Sequence, residues 1–470
     1  MVAAAAVAWA AFGACASASA RSPSFSVQPK GLMQPDFAKR KHDYAVRCKP
    51  RMTELHVDGA KGWRIRIGHG SFRRRDIVRK LRANSEAATN VVFRKANGKQ
   101  RRTYHLRCLP GDFPEFSFDR DAPGGPKLFS MQLGRHYAAI FDRNGVPVWW
   151  YRASGEPDNF QVLSDGTLAF DPVDEASFQT GDYEIRTLKG RLLRVVRGAH
   201  GAAADIHEIQ LLPNGNYLIG AQVKYQADTT SFGGSADSAV IGIQIQELTP
   251  DGDLVWHWES RSHIGLDETG RWWDNPALDT QPYDVVHWNS AELVGKHRLL
   301  LSFRHLDAVY EVDRRSGDIV WKLGGTETPQ SLDVTNDPHS DYPLGGQHDA
   351  RIEPDGTLTV HDNRTGLGEP PRAVRYRIDA EAGTARLVQS ITDPEIGDSF
   401  CCGSTRRLDS GDWLIGWGGK ELVGGYDADG DRLFGLQLAV GFSYRANPVP
   451  EGAVTVPQLR AAMDVMAARP

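Results

Sequence analysis

Three histidines, His207, His287 and His348, each stand eight residues before the glycine of a repeated turn. The stretches are His207-Glu-Ile-Gln-Leu-Leu-Pro-Asn-Gly215, His287-Trp-Asn-Ser-Ala-Glu-Leu-Val-Gly295 and His348-Asp-Ala-Arg-Ile-Glu-Pro-Asp-Gly356, and an apolar strand follows each turn. If repeats are arranged around an axis, equivalent positions converge, and three imidazoles face one central space. Residues two apart on a strand share a face, so Asn289 accompanies His287 and Asp205 accompanies His207. Arg304 follows the strand after His287, and His361-Asp-Asn363 follows the strand after His348. A guanidinium and amides directed at the imidazoles suit a tetrahedral oxyanion. Arg and Asn donate to its oxygens, a neutral His attacks, and another His protonates the leaving group. The expected set is therefore His348, His287, His207 and Arg304 as catalytic groups, with Asn289 and Asn363 binding substrate.

Two other readings compete. A histidine in a repeat is commonly a structural residue that holds a neighbouring unit, and three histidines with an open fourth position are also a zinc pattern. An arginine aimed at the same space opposes a cation, so no metal and no cofactor is expected. No serine-centred elbow, glycine-rich phosphate loop or Cys–His nucleophile motif competes.

The elements that would position these residues repeat from about residue 127. One signature is a turn opening into an apolar strand, as in Leu163-Ser-Asp-Gly-Thr-Leu and Leu408-Asp-Ser-Gly-Asp-Trp-Leu. The other joins an Asp-rich turn to a Trp or Val strand, as in Phe141-Asp-Arg-Asn-Gly-Val-Pro-Val-Trp and Leu248-Thr-Pro-Asp-Gly-Asp-Leu-Val-Trp. Asp-Gly and Asn-Gly between short β-rich runs signal hairpins. Units of roughly fifty residues, each worth about four strands, are what a β-propeller requires. The fold expected is all-β: a six-bladed β-propeller over residues 127–450, preceded by a small β-sandwich-like domain over 25–122. Gly215 and Gly295 are 80 residues apart, a longer step than the others. The excess, Ala227 to Asp237 and Arg271-Trp-Trp-Asp-Asn-Pro-Ala, reads either as a wall or lid of the site or as a surface excursion. Leu459, Ala462, Met463 and Met466 have helical spacing and predict a packing helix over 455–470.

A chain of 470 residues with formal net charge −4 gives no reason to expect nucleic acid. Residues 1–20 end in Ala18-Ser-Ala20 and read as a signal peptide, with Cys15 an alternative lipoprotein acceptor. No other run is long enough for a membrane span. The expected location is secreted or cell-envelope associated. There Cys48 and Cys108 are candidates for a disulfide, while adjacent Cys401 and Cys402 read as two thiols or a vicinal bridge. The basic run Arg73-Arg-Arg-Asp-Ile-Val-Arg-Lys-Leu-Arg82 reads as a solvated face rather than a grip on a polyanion.

Asp284-Val-Val-His-Trp-Asn-Ser290, Leu301-Ser-Phe-Arg304, Ile319-Val-Trp-Lys-Leu-Gly-Gly325, Gly346-Gln-His-Asp-Ala350 and Asp362-Asn363 together resemble the arylsulfotransferase family of secreted bacterial propellers. The likeness covers most of residues 127 to 447 and excludes the amino-terminal region. It implies six blades and sulfuryl transfer from an aryl sulfate donor to a phenol acceptor by a ping-pong route through a sulfohistidine, without a nucleotide sulfate. It makes His348 the sulfuryl acceptor, gives His287, Asn289 and Arg304 its oxygens, and makes His207 the acid/base. Where the family carries a Lys-Thr pair near the last blade, this chain has Ser404-Thr-Arg-Arg407. A ligand-binding propeller without turnover and a metal-dependent hydrolase are the alternatives.

Overall fold

A computed structural model describes residues 22–82, 87–173, 182–275 and 278–467. The expected signal peptide and Cys15 lie outside the described residues. The chain divides into two compact units, Met1–Leu109 and Pro110–Pro470.

In the first unit, a three-stranded sheet (Ser24–Gln28, Glu54–Asp58 and Ile77–Lys80) and a five-stranded sheet share one core. Alternation drives this packing. Trp63, Ile65 and Ile67 of Trp63–Ile67 are buried while Arg64 and Arg66 turn outward, and Phe25, Leu55, Val57 and Phe93 complete the core from both sheets. The result is a β-sandwich, and Cys48–Cys108 is a disulfide within it. Arg73, Arg74 and Arg75 are solvent-exposed, as a solvated face requires.

The second unit is a β-propeller with six sheets among its described residues. Sheets two to five run in chain order from an inner strand outward, beginning with Glu156–Val162, Ala203–Leu211, Trp288–Val294 and His348–Ile352, except that the outermost strand of the fifth, Asp333–Thr335, precedes its inner one. Their inner strands touch in succession, and those of the sixth and first sheets close the ring. Apolar clusters fill the spaces between successive sheets. Ile245 and Trp258 of the third meet Trp288 and Leu301 of the fourth, and Leu323 of the fourth meets Val360 of the fifth.

Turn chemistry repeats with the sheets. Asp165 Oδ1 accepts from Thr167 N at 2.9 Å, and Asp355 Oδ1 accepts from Thr357 N at 3.1 Å. At Gly215 and Gly356, φ values of +86° and +77° call for a residue without Cβ.

Two exchanges close the ring. Ala446–Pro448, late in the chain, adds the inner strand of the first sheet beside Leu128–Leu133. Phe116–Arg120, early in the unit, adds the outer strand of the sixth sheet beside Arg432–Leu438. The second exchange corrects the expected boundary at residue 122: the segment after Pro110 belongs to the propeller because its partner strand lies there. The helix Val456–Met466 buries Leu459, Ala462 and Met463, with Thr455 capping it through Gln458. Among the described residues no helix is long and apolar enough to cross a membrane.

Candidate active site

His207, His287 and His348 all lie where the inner strands of sheets three to five begin or bulge. In the third sheet the bulge between Ala204 and Ile209 frees His207 from regular pairing. Its Nδ1–H donates to Asp205 Oδ1 at 2.5 Å, and its backbone N–H donates to the same oxygen at 3.0 Å. His287 precedes the fourth sheet at φ +44°, a left-handed conformation that L side chains rarely adopt. Asp284 holds it there, accepting from His287 N at 3.1 Å and from Nδ1–H at 2.5 Å. In both residues the carboxylate takes Nδ1–H, which leaves Nε2 bare. The two rings stand 5.0 Å apart, edge to face. Burial pushes the Asp284 carboxyl up, but electrostatic attraction to the His287 ring and its hydrogen bond outweigh it and hold the group below its ordinary range. Asp205 has the same balance against His207.

His348 is 1 % exposed. Asn363 Nδ2 directs its two hydrogens at the carbonyls of Gly346 and Cys402, both 2.9 Å away. The His348 Nδ1–H therefore belongs to the Gly346 carbonyl at 3.2 Å, and Nε2 keeps its lone pair. Burial first, then the nearby Arg304, push the His348 pKa well down, so the ring is neutral.

Arg304 follows the strand Arg298–Phe303, opening the turn Arg304–Leu306, and is held from three sides. Nη1–H donates to His305 Nε2 at 2.8 Å, Nη2–H donates to the Phe400 carbonyl at 2.7 Å, and the guanidinium carbon lies 4.4 Å from the Trp272 ring. Its Nε–H is buried without a partner among the described residues, a donor available to an anion. Burial lowers its pKa to about 10, so the charge persists at neutral pH.

His305 serves as the arginine's support. Its Nδ1–H donates to the Asp284 carbonyl at 2.6 Å, its ring stacks on Trp272 at 4.5 Å, and burial followed by His287 keeps it neutral. Trp272 comes from the long insertion, whose Thr280, Gln281 and Pro282 line a cavity of about 450 Å3 with Asp205, His207, Asp284 and His287. Phe232 from its first half stacks on Trp273 at 4.6 Å. The insertion thus places Trp272 against both Arg304 and His305.

Two expected donors are otherwise engaged. Asn289 Nδ2 donates to the Gln347 carbonyl at 2.8 Å, and Asn363 is spent as described. Both fix the main chain that flanks His348; Asn363 spends both hydrogens on it, whereas Asn289 spends one. The reason is burial, at 0 % and 1 % exposure, where main-chain carbonyls must find donors. Tyr444 was not anticipated. Its ring stands 5.7 Å from His207 and 6.4 Å from His348, and its buried hydroxyl has no partner among the described residues. The residues one step into the inner strands, Glu208 and Asp349, form a buried ion network with Arg351, Arg406 and Arg445. Cys401 and Cys402 are joined as a vicinal disulfide, and its loop carries the carbonyls that Arg304 and Asn363 use.

Asp284, His287 and His305 offer ligand atoms within 4.8 Å of one another. Both nitrogens of His305 and Nδ1 of His287 are already committed, and a dication there would face the Arg304 guanidinium 2.8 Å from His305 Nε2. The donor set fits an anion better than a cation.

Residues 194–438 match the sequence profile of the family described as Arylsulfotransferase (ASST). No curated protein matches the chain. Among solved structures, a Bacteroides caccae protein of unknown function superposes with TM-score 0.44 at 15 % identity, covering 70 % of this chain and all (100 %) of its own. A virginiamycin B lyase from Staphylococcus aureus superposes with TM-score 0.35 at 13 % identity, covering 69 % of this chain and 100 % of its own. At such scores these likenesses carry no argument about chemistry.

Proposed function

The chain belongs to the arylsulfotransferase family, its match spanning residues 194–438, and on that premise we propose that it moves a sulfuryl group from an aryl sulfate to a phenol through a sulfohistidine at His348. The observation that carries the reading is the state of that ring. It is neutral, its Nδ1–H is tied to a main-chain carbonyl, and its Nε2 lone pair is free beside a guanidinium. In the first half-reaction Nε2 forms a bond to sulfur, the sulfur–aryl oxygen bond breaks, and the electron pair leaves on the phenolate. In the second, an acceptor phenol oxygen attacks sulfur as its proton passes to His207, the nitrogen–sulfur bond breaks, and the pair returns to Nε2.

Arg304 lies against the charge on the transferring oxygens, and the Asp-oriented His207 and His287 line the approach. Asn289 and Asn363 act by positioning. Sulfuryl transfer shares with phosphoryl transfer its reliance on in-line placement and charge stabilisation. Two disulfides suit an oxidising compartment, so the reading includes export.

A second reading, a propeller that binds an anionic or aromatic ligand without turnover, draws on the 1 % exposure of His348. Mass spectrometry after brief exposure to p-nitrophenyl sulfate separates the two. The expected result is a mass gain of one SO3 mapped to His348, with p-nitrophenol released, and neither in His348→Asn. Folded protein that forms no adduct with several aryl sulfates would sink the transfer reading. Stoichiometric zinc or iron in purified protein would instead favour a metal hydrolase.

A further inference from the structure

The slot that holds histidine in sheets three to five is also filled in the second sheet, and by a carboxyl. Asp158 stands eight residues before Gly166 as His348 stands eight before Gly356. The likeness extends to register. Asp158 faces Asp171 across its strand pair as His348 faces His361, and each inner strand then bulges, between Asp158 and Gln161 and between His348 and Arg351. Next to it, Asn159 at φ +49° donates to the His207 carbonyl at 3.0 Å, which ties the inner strand of the second sheet to that of the third at His207. Arg445 Nη1 reaches Asn159 Oδ1 at 3.5 Å but is committed to Glu208 at 2.9 Å.

Asp171 is 0 % exposed, and neither of its carboxyl oxygens has a hydrogen-bond partner among the described residues. A bare carboxylate in such a place is untenable, so the pair keeps a proton or a cation. Cross-strand partners put their Cβ atoms about 4.5–5.5 Å apart, near enough for two carboxyls to share one proton. Burial pushes Asp171 up to about 8, reinforced by the carboxylates of Asp158, Asp182, Asp205 and Glu184. Burial and Glu156 push Asp158 up to about 7, opposed by His207 and by Gln132.

We propose that Asp158, backed by Asp171, is a proton-relay residue of the site: by way of His207 it supplies the proton that the departing phenolate takes and receives the one that the acceptor phenol gives up. The inference rests on the sulfuryl-transfer reading. The balance is internal. When the sulfur–oxygen bond breaks, the Asp158 hydroxyl proton moves to His207 Nε2 and on to the phenolate oxygen, leaving the Asp158 carboxylate and a neutral phenol. When the acceptor attacks the sulfohistidine, its phenol proton returns through His207 to Asp158, and the site is restored without exchange with solvent.

The test compares two donors in Asp158→Asn, an isosteric change. Phenyl sulfate releases a basic phenolate with pKa about 10, whereas p-nitrophenolate leaves without needing a proton. The expected result is a loss of roughly 100-fold in sulfohistidine formation from phenyl sulfate, the size of a general-acid contribution, and less than about threefold from p-nitrophenyl sulfate. Equal losses overturn the relay, because a structural defect does not sense the leaving group. A second readout needs no turnover: infrared spectra of wild type at pH 7 show a protonated-carboxyl band that Asp171→Asn weakens and that Asp158→Asn shifts in frequency, the proton then resting on Asp171 alone. Absence of the band from wild type, or stoichiometric calcium or magnesium lost in Asp171→Asn, overturns the proton pair. A wild type that shows the band yet transfers from neither donor overturns the transfer reading and the relay with it, whereas transfer with equal losses overturns the relay alone.

Discussion

Replacing Asp171 with Asn should change how propeller stability depends on pH. The native carboxyl titrates near 8, against 3.8 for the free side chain. Between pH 5 and 7 the unfolded chain has therefore released a proton that the native chain retains. The slope of stability with pH follows the protons bound by the unfolded state minus those bound by the native state, here about zero minus one. Stability falls as pH rises, by about 1.4 kcal/mol per pH unit, or about 3 kcal/mol across the interval. Asn has no titrating proton here, so the variant loses this component of the slope. Urea unfolding followed by tryptophan fluorescence at pH 5, 6 and 7 measures it, since ten of the twelve tryptophans lie beyond residue 109 and report on the propeller. The variant should be relatively more stable at pH 7 than at pH 5. Parallel pH dependences in the two proteins would refute the claim that a buried, protonated carboxyl sits here.

Other expectations concern the arginine and the covalent supports. Trp272→Ala removes the ring beneath Arg304 and His305, a contact of about 1–2 kcal/mol when desolvated, and should lower kcat/KM about tenfold in steady-state assays while leaving the fold intact by circular dichroism. Arg304→Lys keeps the charge but cannot span His305 and the Phe400 carbonyl together; a loss of roughly 100-fold in transfer is expected. Reduction or Cys48→Ser opens a loop closed over a separation of 60 residues, which should destabilise the first unit by about 4 kcal/mol in calorimetry. Asp284→Asn removes the carboxylate that holds His287 in its left-handed conformation, and should depress turnover at least tenfold with little change in the binding of a sulfate analogue.

Much of this was legible because local rules govern it. Asp-Gly turns and alternating strands mark the propeller, and a constant offset from a turn glycine marks His207, His287 and His348. What was not legible depends on distant pairing. Phe116–Arg120 carries no local sign that its partner is Arg432–Leu438, so the boundary read at residue 122 falls at Leu109. Tyr444 reaches the site from a connection outside the repeat pattern, whereas Trp272 lies in the long insertion whose length marks it, and His305 stands next to Arg304. Asn289 and Asn363 have the right chemistry for an oxyanion, but main-chain carbonyls around His348 claim one hydrogen of the first and both of the second, a competition invisible without coordinates. Asp158 shares the histidine offset, but a carboxyl in place of an imidazole hides the equivalence of position.

The ring is closed by strands from opposite ends of the propeller's sequence, and that makes the order of synthesis matter. The first sheet begins at Leu128, yet its inner strand, Ala446–Pro448, is among the last segments made. Until then Leu128–Leu133 presents an unpaired edge, the kind of surface that recruits foreign strands. A nascent chain must therefore keep five sheets from committing to wrong neighbours while the sixth is translated, and a break anywhere before residue 446 leaves an open arc. A circular permutant that joins the two ends and starts between intact sheets would fold with its edges satisfied in order, and should escape aggregation in cells that lack holdase chaperones.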